Sequence, residues 1–163
     1  MKLHKIFLGL GSNLGNREGN LLMAQRLIKE KVGQIVLKSS IYETAAWGIV
    51  EQNSFLNQVI EVETSFSPNA VLHLILNIEK DMGRVRQVKW GERIIDIDIL
   101  YYENEVISME NLSIPHPFIQ ERQFVLVPLC EIAANFIHPK LEVSNLELLK
   151  NCQDVGEISL FIG

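Results

Sequence analysis

The chain predicts an α+β fold: a βαββαβ order of elements, an antiparallel sheet carrying helices, and a C-terminal extension. Three observations predict it. Strand-length apolar runs and helix-spaced apolar positions follow one another through residues 5–102 in the order strand, helix, strand, strand, helix, strand. Glycines and a proline stand where those segments change type. A charged segment, GRVRQVKWGER, leads directly into a β-branched run that carries two aspartates, IIDIDILYY.

Lys5 to Leu10 (KIFLGL) predicts the first strand, and Gly9, Gly11 and Gly15 punctuate the turn after it. A helix from about Arg17 to Lys31 follows, with Leu21, Leu22, Leu27 and Ile28 at roughly helical spacing, and Gly33 stops it. Gln34 to Tyr42 reads as a second strand, Thr44 to Ser54 as a loop, and Phe55 to Thr64 as a third strand with alternation from Asn57 onward. Pro68 suits the first turn of a second helix, which runs to about Met82 with Gly83 as its stop. Arg84 to Glu92 is a charged loop and Ile94 to Tyr102 the fourth strand. This is the ferredoxin-like split βαβ pattern, with helices on one face of an antiparallel sheet. Beyond it come a short strand at Glu105 to Ser108, the proline turn SIPHPF, the apolar segment FVLVPLCEIA and a helical tail near Leu146 to Lys150.

The chain has 163 residues, which suits one domain spanning residues 1–163 with a core of its own. Its apolar fraction of 47% and charged fraction of 21% are those of a soluble globular protein. A net charge of −5 argues against a nucleic-acid footprint, though a few local arginines suffice for a nucleotide. Cys130 and Cys152 form no C-x-x-C, which fits a reducing cytoplasm and gives neither a disulfide framework nor a zinc site. No segment approaches the roughly 20 apolar residues of a membrane helix, and the apolar start is too short for a signal-peptide core. The expectation is a cytoplasmic protein, monomeric or weakly dimeric, with small-molecule rather than nucleic-acid or membrane partners.

Asp96 and Asp98 carry the chemistry. Strand side chains alternate, so the two carboxylates share one face while Ile95, Ile97 and Ile99 share the other. Aspartate is depleted in strands, so two on one face need a reason. Same-face neighbours lie about 6–7 Å apart, able to bracket two metal ions about 3.5–4 Å apart. Mg²⁺ is held in this way, by one or two carboxylates together with phosphate oxygens. Arg84, Arg86 and Arg93 supply planar forks for phosphate, and Trp90, within that charged run, suits a planar heterocycle. Gly83 and Gly91 flank Arg84–Trp90 and would let it close over a nucleotide.

Other segments are less telling. The turn GLGSNLGN lacks a third glycine in phosphate-loop register and any following Gly-Lys-Ser/Thr, so it reads as a tight turn with Ser12 or Asn13 bonding locally. Phe55, Asn57 and Thr44 together would suit a flat, hydrogen-bonding ligand. On residue type alone, core packing of Phe55 and a loop-ending Asn57 is the simpler reading. His116 lies between two prolines, a structural setting, with Arg122 near enough to make a phosphate contact. Nothing resembles a serine or cysteine nucleophile with its base. Two other classes compete: a different two-metal nucleotide enzyme on the same scaffold, and a non-catalytic ligand-binding module.

Taken together, the segments LGLGSNLGNRE (8–18), SSIYET (39–44), FLNQV (55–59), GRVR (83–86), WGERIIDIDIL (90–100) and IPHPF…ERQFVLVPLCEIA (114–133) resemble the 6-hydroxymethyl-7,8-dihydropterin pyrophosphokinase family, in the family's order. The resemblance implies transfer of the β,γ-pyrophosphoryl group of ATP to the hydroxymethyl group of the pterin, releasing AMP, in folate biosynthesis. It implies that Asp96 and Asp98 hold two Mg²⁺ ions. By the same resemblance Glu79, Arg84, Arg86, Trp90, Arg93, His116 and Arg122 serve ATP, with Arg84 and Arg93 catalytic alongside the aspartates. Phe55 and Phe124 would stack on the pterin, Thr44 and Asn57 bond its edge, Ala45 and Trp47 offer backbone groups, and Trp90 and Asp96 adjoin it. From its residue type alone, Glu79 is a charged surface position. The chain departs from the family in having Phe55 where some members carry Tyr, Ala45-Ala46 where a proline is common, and Phe118 where many have Arg.

Overall fold

A computed structural model of the chain describes residues 2–45, 53–83 and 94–163. Its central strand, β1 (His4–Ser12), pairs antiparallel with β4 (Phe55–Thr64) on one side and β5 (Asp96–Tyr102) on the other. The expected second strand is split into β2 (Gln34–Lys38) and β3 (Tyr42–Thr44), both on the far edge of β4. Buried Ser39 bridges the break, exchanging bonds with Val59 through its backbone N–H (2.9 Å) and its hydroxyl (3.0 Å). The expected four-stranded βαββαβ order is therefore present, with strand order β5-β1-β4-β3.

Helices α1 (Arg17–Lys31) and α2 (Pro68–Asp81) cover one face. There Ile6, Leu8, Leu10, Ile60, Val62, Ile97 and Ile99 meet Leu21, Ile28, Val71, Ile75 and Ile78 in a fully buried core. Asn16 caps α1 by accepting the Gly19 N–H, and Ser67 caps α2 ahead of Pro68. Gly33 is required by space, because a Cβ there would run into the Glu63 carbonyl of β4. Gly83 ends α2 in the left-handed region at φ +86°.

The C-terminal third adds a second helical layer on the opposite face. After the hairpin β6 (Ile107–Met109) and β7 (Leu112–Ile114), α3 (Gln123–Ala133) and α4 (Asn145–Lys150) pack on Phe7, Val59, Leu100 and Tyr101. Both Leu100 and Tyr101 reach this core because the β1–β5 register shifts between Phe7 and Leu8, which breaks simple alternation. The Tyr101 hydroxyl donates to Asn145 Oδ1 (2.7 Å), whose amide donates to the Ala133 carbonyl (2.8 Å). A last strand, β8 (Ile158–Leu160), extends the sheet beyond β3. Among the described residues no helix is long and apolar enough to cross a membrane.

Candidate active site

The register of β1 builds the site. Gly9 lies opposite Asp98 on β5 and Val59 on β4, and Gly11 opposite Asp96 and Asn57. Directly opposed residues of antiparallel strands share a face. Asp96 and Asp98 therefore stand on the same face as Asn57, one strand either side of a strip with no side chains. Two strand spacings make that strip about 9–10 Å wide. A Cβ at Gly11 would sit 3.3 Å from Asn57 Oδ1 and 3.7 Å from the Phe55 ring, so glycine keeps the floor open. The aspartates are half-buried, while Ile97 and Ile99 point into the α1/α2 core, as the alternation predicts.

Beyond Asn57 the same face carries Thr44 and Phe55, opposed in the β3–β4 register. The Asn57 amide donates to Thr44 Oγ1 at 2.9 Å, fixing the orientation of both side chains. Asn57 is buried and Phe55 half-buried. Phe124, in the first turn of α3, is half-buried against the α3/α4 core on this face. Ala45 is exposed just past β3.

Segment 115–124 brings the basic groups. The His116 backbone N–H donates to the Leu100 carbonyl at 3.0 Å, tying this segment to β5. The Arg122 guanidinium lies 5.0 Å from the Phe118 ring centroid and 5.6 Å from that of Phe124, which fixes its planar head. Phe118 thus helps hold Arg122. Burial pushes the His116 imidazole down to about 4, the Arg122 charge adds to the fall, and Asp96 opposes it. His116 accordingly lies within the fields of both groups. Its Nδ1 accepts the Phe118 N–H at 3.1 Å, which leaves the proton on Nε2. In the ligand-free chain, His116 is expected to stay neutral from pH 7 to near pH 4, as read by the ¹⁵N shifts of its ring. A midpoint near 6.5 would contradict this.

Glu79 is not the charged surface position its residue type favours. It is 4% exposed, and its carboxylate accepts the Ile97 N–H, midway between the two aspartates, at 2.7 Å. The segment GLGSNLGN is not the tight turn its glycines suggest: Gly9–Ser12 complete β1, only residues 13–16 connect it to α1, and the bonds of that junction reach further than local. Asn13 donates to the Asn53 carbonyl (3.3 Å), and Asn20 donates to Ser12 Oγ (3.1 Å) and the Leu14 carbonyl (2.8 Å). Trp47, Arg84, Arg86, Trp90 and Arg93 lie outside the described residues.

Two features escaped the sequence reading. The glycine strip is visible there only as G-L-G, and its purpose needs the register of three strands. Arg17, Glu43 and Ser54 form a hydrogen-bonded cluster beneath Thr44 and Phe55. They are too far apart in sequence for any spacing to pair them.

A family model described as 7,8-dihydro-6-hydroxymethylpterin-pyrophosphokinase (HPPK) matches residues 7–134. The chain belongs to this family. The match spans α1, α2, the glycine strip, the aspartate strand and α3. A protein of Aquifex aeolicus named 2-amino-4-hydroxy-6-hydroxymethyldihydropteridine pyrophosphokinase is 46% identical over 134 residues, 82% of this chain and 83% of its own length. One of the same name from Bacillus subtilis is 46% identical over 127 residues, covering 77% of this chain and 76% of its own. A crystal structure of Plasmodium falciparum HPPK-DHPS with pteroate shares the fold at a TM-score of 0.77 and 19% identity. The overlap takes in 91% of this chain and 42% of that one, so the chain spans less than half of that polypeptide.

Proposed function

We propose that the chain, as one domain over residues 1–163, transfers the pyrophosphoryl group of ATP to 6-hydroxymethyl-7,8-dihydropterin in folate synthesis, giving AMP and the pterin diphosphate. The observation that carries the residue assignment is the glycine strip of β1, with carboxylates on one side and an amide–hydroxyl pair with an aromatic ring on the other.

Asp96 and Asp98 fit Mg²⁺. They offer hard oxygen ligands on one face, at a floor kept open by Gly9 and Gly11, with room for phosphate oxygens to complete the set. Among the described residues there is no group of three or more His, Cys, Asp or Glu side chains able to hold a metal. The phosphates of ATP would thus supply the remaining ligands. Two bound Mg²⁺ ions would neutralise the charge of the triphosphate.

On the nucleotide side, Arg122 offers a cation with its orientation set by two rings, and His116 offers Nε2–H as a neutral donor. Arg84, Arg86 and Arg93 are the further phosphate contacts, with Trp90 beside them. On the acceptor side, Phe55 and Phe124 stack on the pterin while Asn57 and Thr44 bond its edge, with Ala45 and Trp47 adjoining. The reaction forms a bond from the pterin hydroxyl oxygen to the β-phosphorus and breaks the link to the α-phosphate. The hydroxyl proton leaves toward Asp96, and AMP departs with the bridging oxygen. Such transfers need positioning and charge neutralisation more than a strong base. The protein is proposed to act in the cytoplasm as a monomer or weak homodimer.

The deciding assay incubates the chain with ATP, Mg²⁺ and 6-hydroxymethyl-7,8-dihydropterin. AMP and pterin diphosphate are expected in equal amounts, and neither without the pterin. Release of ADP in place of AMP would overturn the reaction.

A further inference from the structure

We propose that Arg17, Glu43 and Ser54 form a positioning network that sets the separation of Thr44 and Phe55, and so acts on the affinity of the acceptor pocket. The inference rests on the reading of Thr44, Phe55 and Asn57 as pterin contacts.

Arg17 is the first residue of α1, where the helix dipole disfavours a cation. Its place there is offset by what it holds. Arg17 Nη1 donates to Glu43 Oε2 (2.7 Å), to the Ser54 backbone carbonyl (2.9 Å) and to Ser54 Oγ (3.0 Å). The Ser54 hydroxyl donates in turn to the same Glu43 oxygen (2.7 Å), closing a triangle. Phe161, just past β8, lies 5.9 Å from the guanidinium carbon, so the C-terminal strand backs the cluster. The side chains of Arg17 and Glu43 keep only 24% and 34% of their exposure. The hydrogen bonds from the Ser54 hydroxyl and the Arg17 guanidinium lower the pKa of the Glu43 carboxyl.

Position gives the network its purpose. Glu43 immediately precedes Thr44, and Ser54 immediately precedes Phe55, the two residues opposed at the end of the β3–β4 ladder. β3 has only three residues and little ladder of its own. Alternation turns Glu43 toward the α1 side of the sheet and Thr44 toward the site. The triangle thus closes this ladder end from behind, while the Asn57–Thr44 bond closes it in front. Arg17 holds the chain on both sides of the 45–52 connection at once, through Glu43 and through the Ser54 carbonyl. Displacing Thr44 from Phe55 would spoil the pocket with little effect on Asp96 and Asp98, which lie across β1.

The test uses the full chain and two separate titrations, one with the hydroxymethylpterin and one with a non-hydrolysable ATP analogue plus Mg²⁺. Arg17→Met is expected to raise the pterin Kd about tenfold and leave the nucleotide Kd within about twofold. Glu43→Gln, which keeps an acceptor oxygen, should fall between it and the parent chain. The double variant should cost no more than Arg17→Met alone, because both substitutions break one network. If Arg17→Met fails to fold by circular dichroism, Ser54→Ala removes one hydroxyl and makes the same comparison. Phe55→Ala is the control. Equal losses of both ligands, additive losses, or normal pterin binding in Arg17→Met while Phe55→Ala loses it would each overturn the network and leave the pocket standing. Normal pterin binding in Phe55→Ala would overturn the pocket itself.

Discussion

Asp96→Ala and Asp98→Ala are each expected to lower the rate of AMP formation about 10²–10³-fold or more while the chain stays folded. The magnitude follows from removing a ligand of the Mg²⁺ that would neutralise the developing phosphate charge. The retained fold follows from the geometry. The packing of β5 on α1 and α2 is carried by Ile97 and Ile99, which face the buried core, whereas the aspartates lie half-buried on the other face opposite two glycines. Aspartate is itself a poor strand residue, so alanine should leave the thermal midpoint within a few degrees. Activity is followed as AMP released, and stability by thermal unfolding of the same preparations. A rate near normal in both variants would remove the metal assignment. A lost rate with a collapsed midpoint would instead move the aspartates into the architecture.

How far such a site is legible in sequence depends on the range of the forces that build it. The aspartate pair and the βαββαβ order are local patterns of period, turn chemistry and charge, and the described residues carry the same strands and helices within a few positions, with the second strand split in two; the arginine-rich approach lies outside them. Long-range features were hidden. Helix α3 contains Pro128, which removes a helical N–H and makes FVLVPLCEIA look unlike a helix, yet Val125, Leu126 and Leu129 bury against Phe7 and Tyr101. β8 has three residues and no pattern of its own, and it exists by pairing with β3. The shift that turns both Leu100 and Tyr101 toward the second core belongs to the β1–β5 pairing. Gly9 and Gly11 looked like turn punctuation because their role is to leave space between two neighbouring strands. Glu79 is different, since its signal was present. Val71, Ile75 and Ile78 mark the buried stripe of α2, and Glu79 falls eight residues after Val71 on that same stripe. A carboxylate there has to find a buried partner.

That partner makes Glu79 the site of the second large effect. Its carboxylate accepts the Ile97 N–H on the edge strand that carries both aspartates. Glu79→Ala removes the acceptor and leaves a buried donor unsatisfied, which costs about 1–3 kcal/mol. For a chain of this size that is a fall of about 2–12 °C in the midpoint. The loss should also reach the chemistry, because the freed N–H lies between Asp96 and Asp98 and its bond fixes the backbone from which both project. Glu79→Gln retains a carbonyl oxygen in the same place, so it should recover most of the stability and much of the rate. The outcome separates two roles for this residue. If Glu79 serves as the anchor of β5, stability and rate fall together in Glu79→Ala and return together in Glu79→Gln, with the nucleotide KM little changed. If it serves ATP directly, the KM for ATP rises in both variants whether or not the midpoint moves. Parallel unfolding curves and ATP titrations of the two variants decide between them.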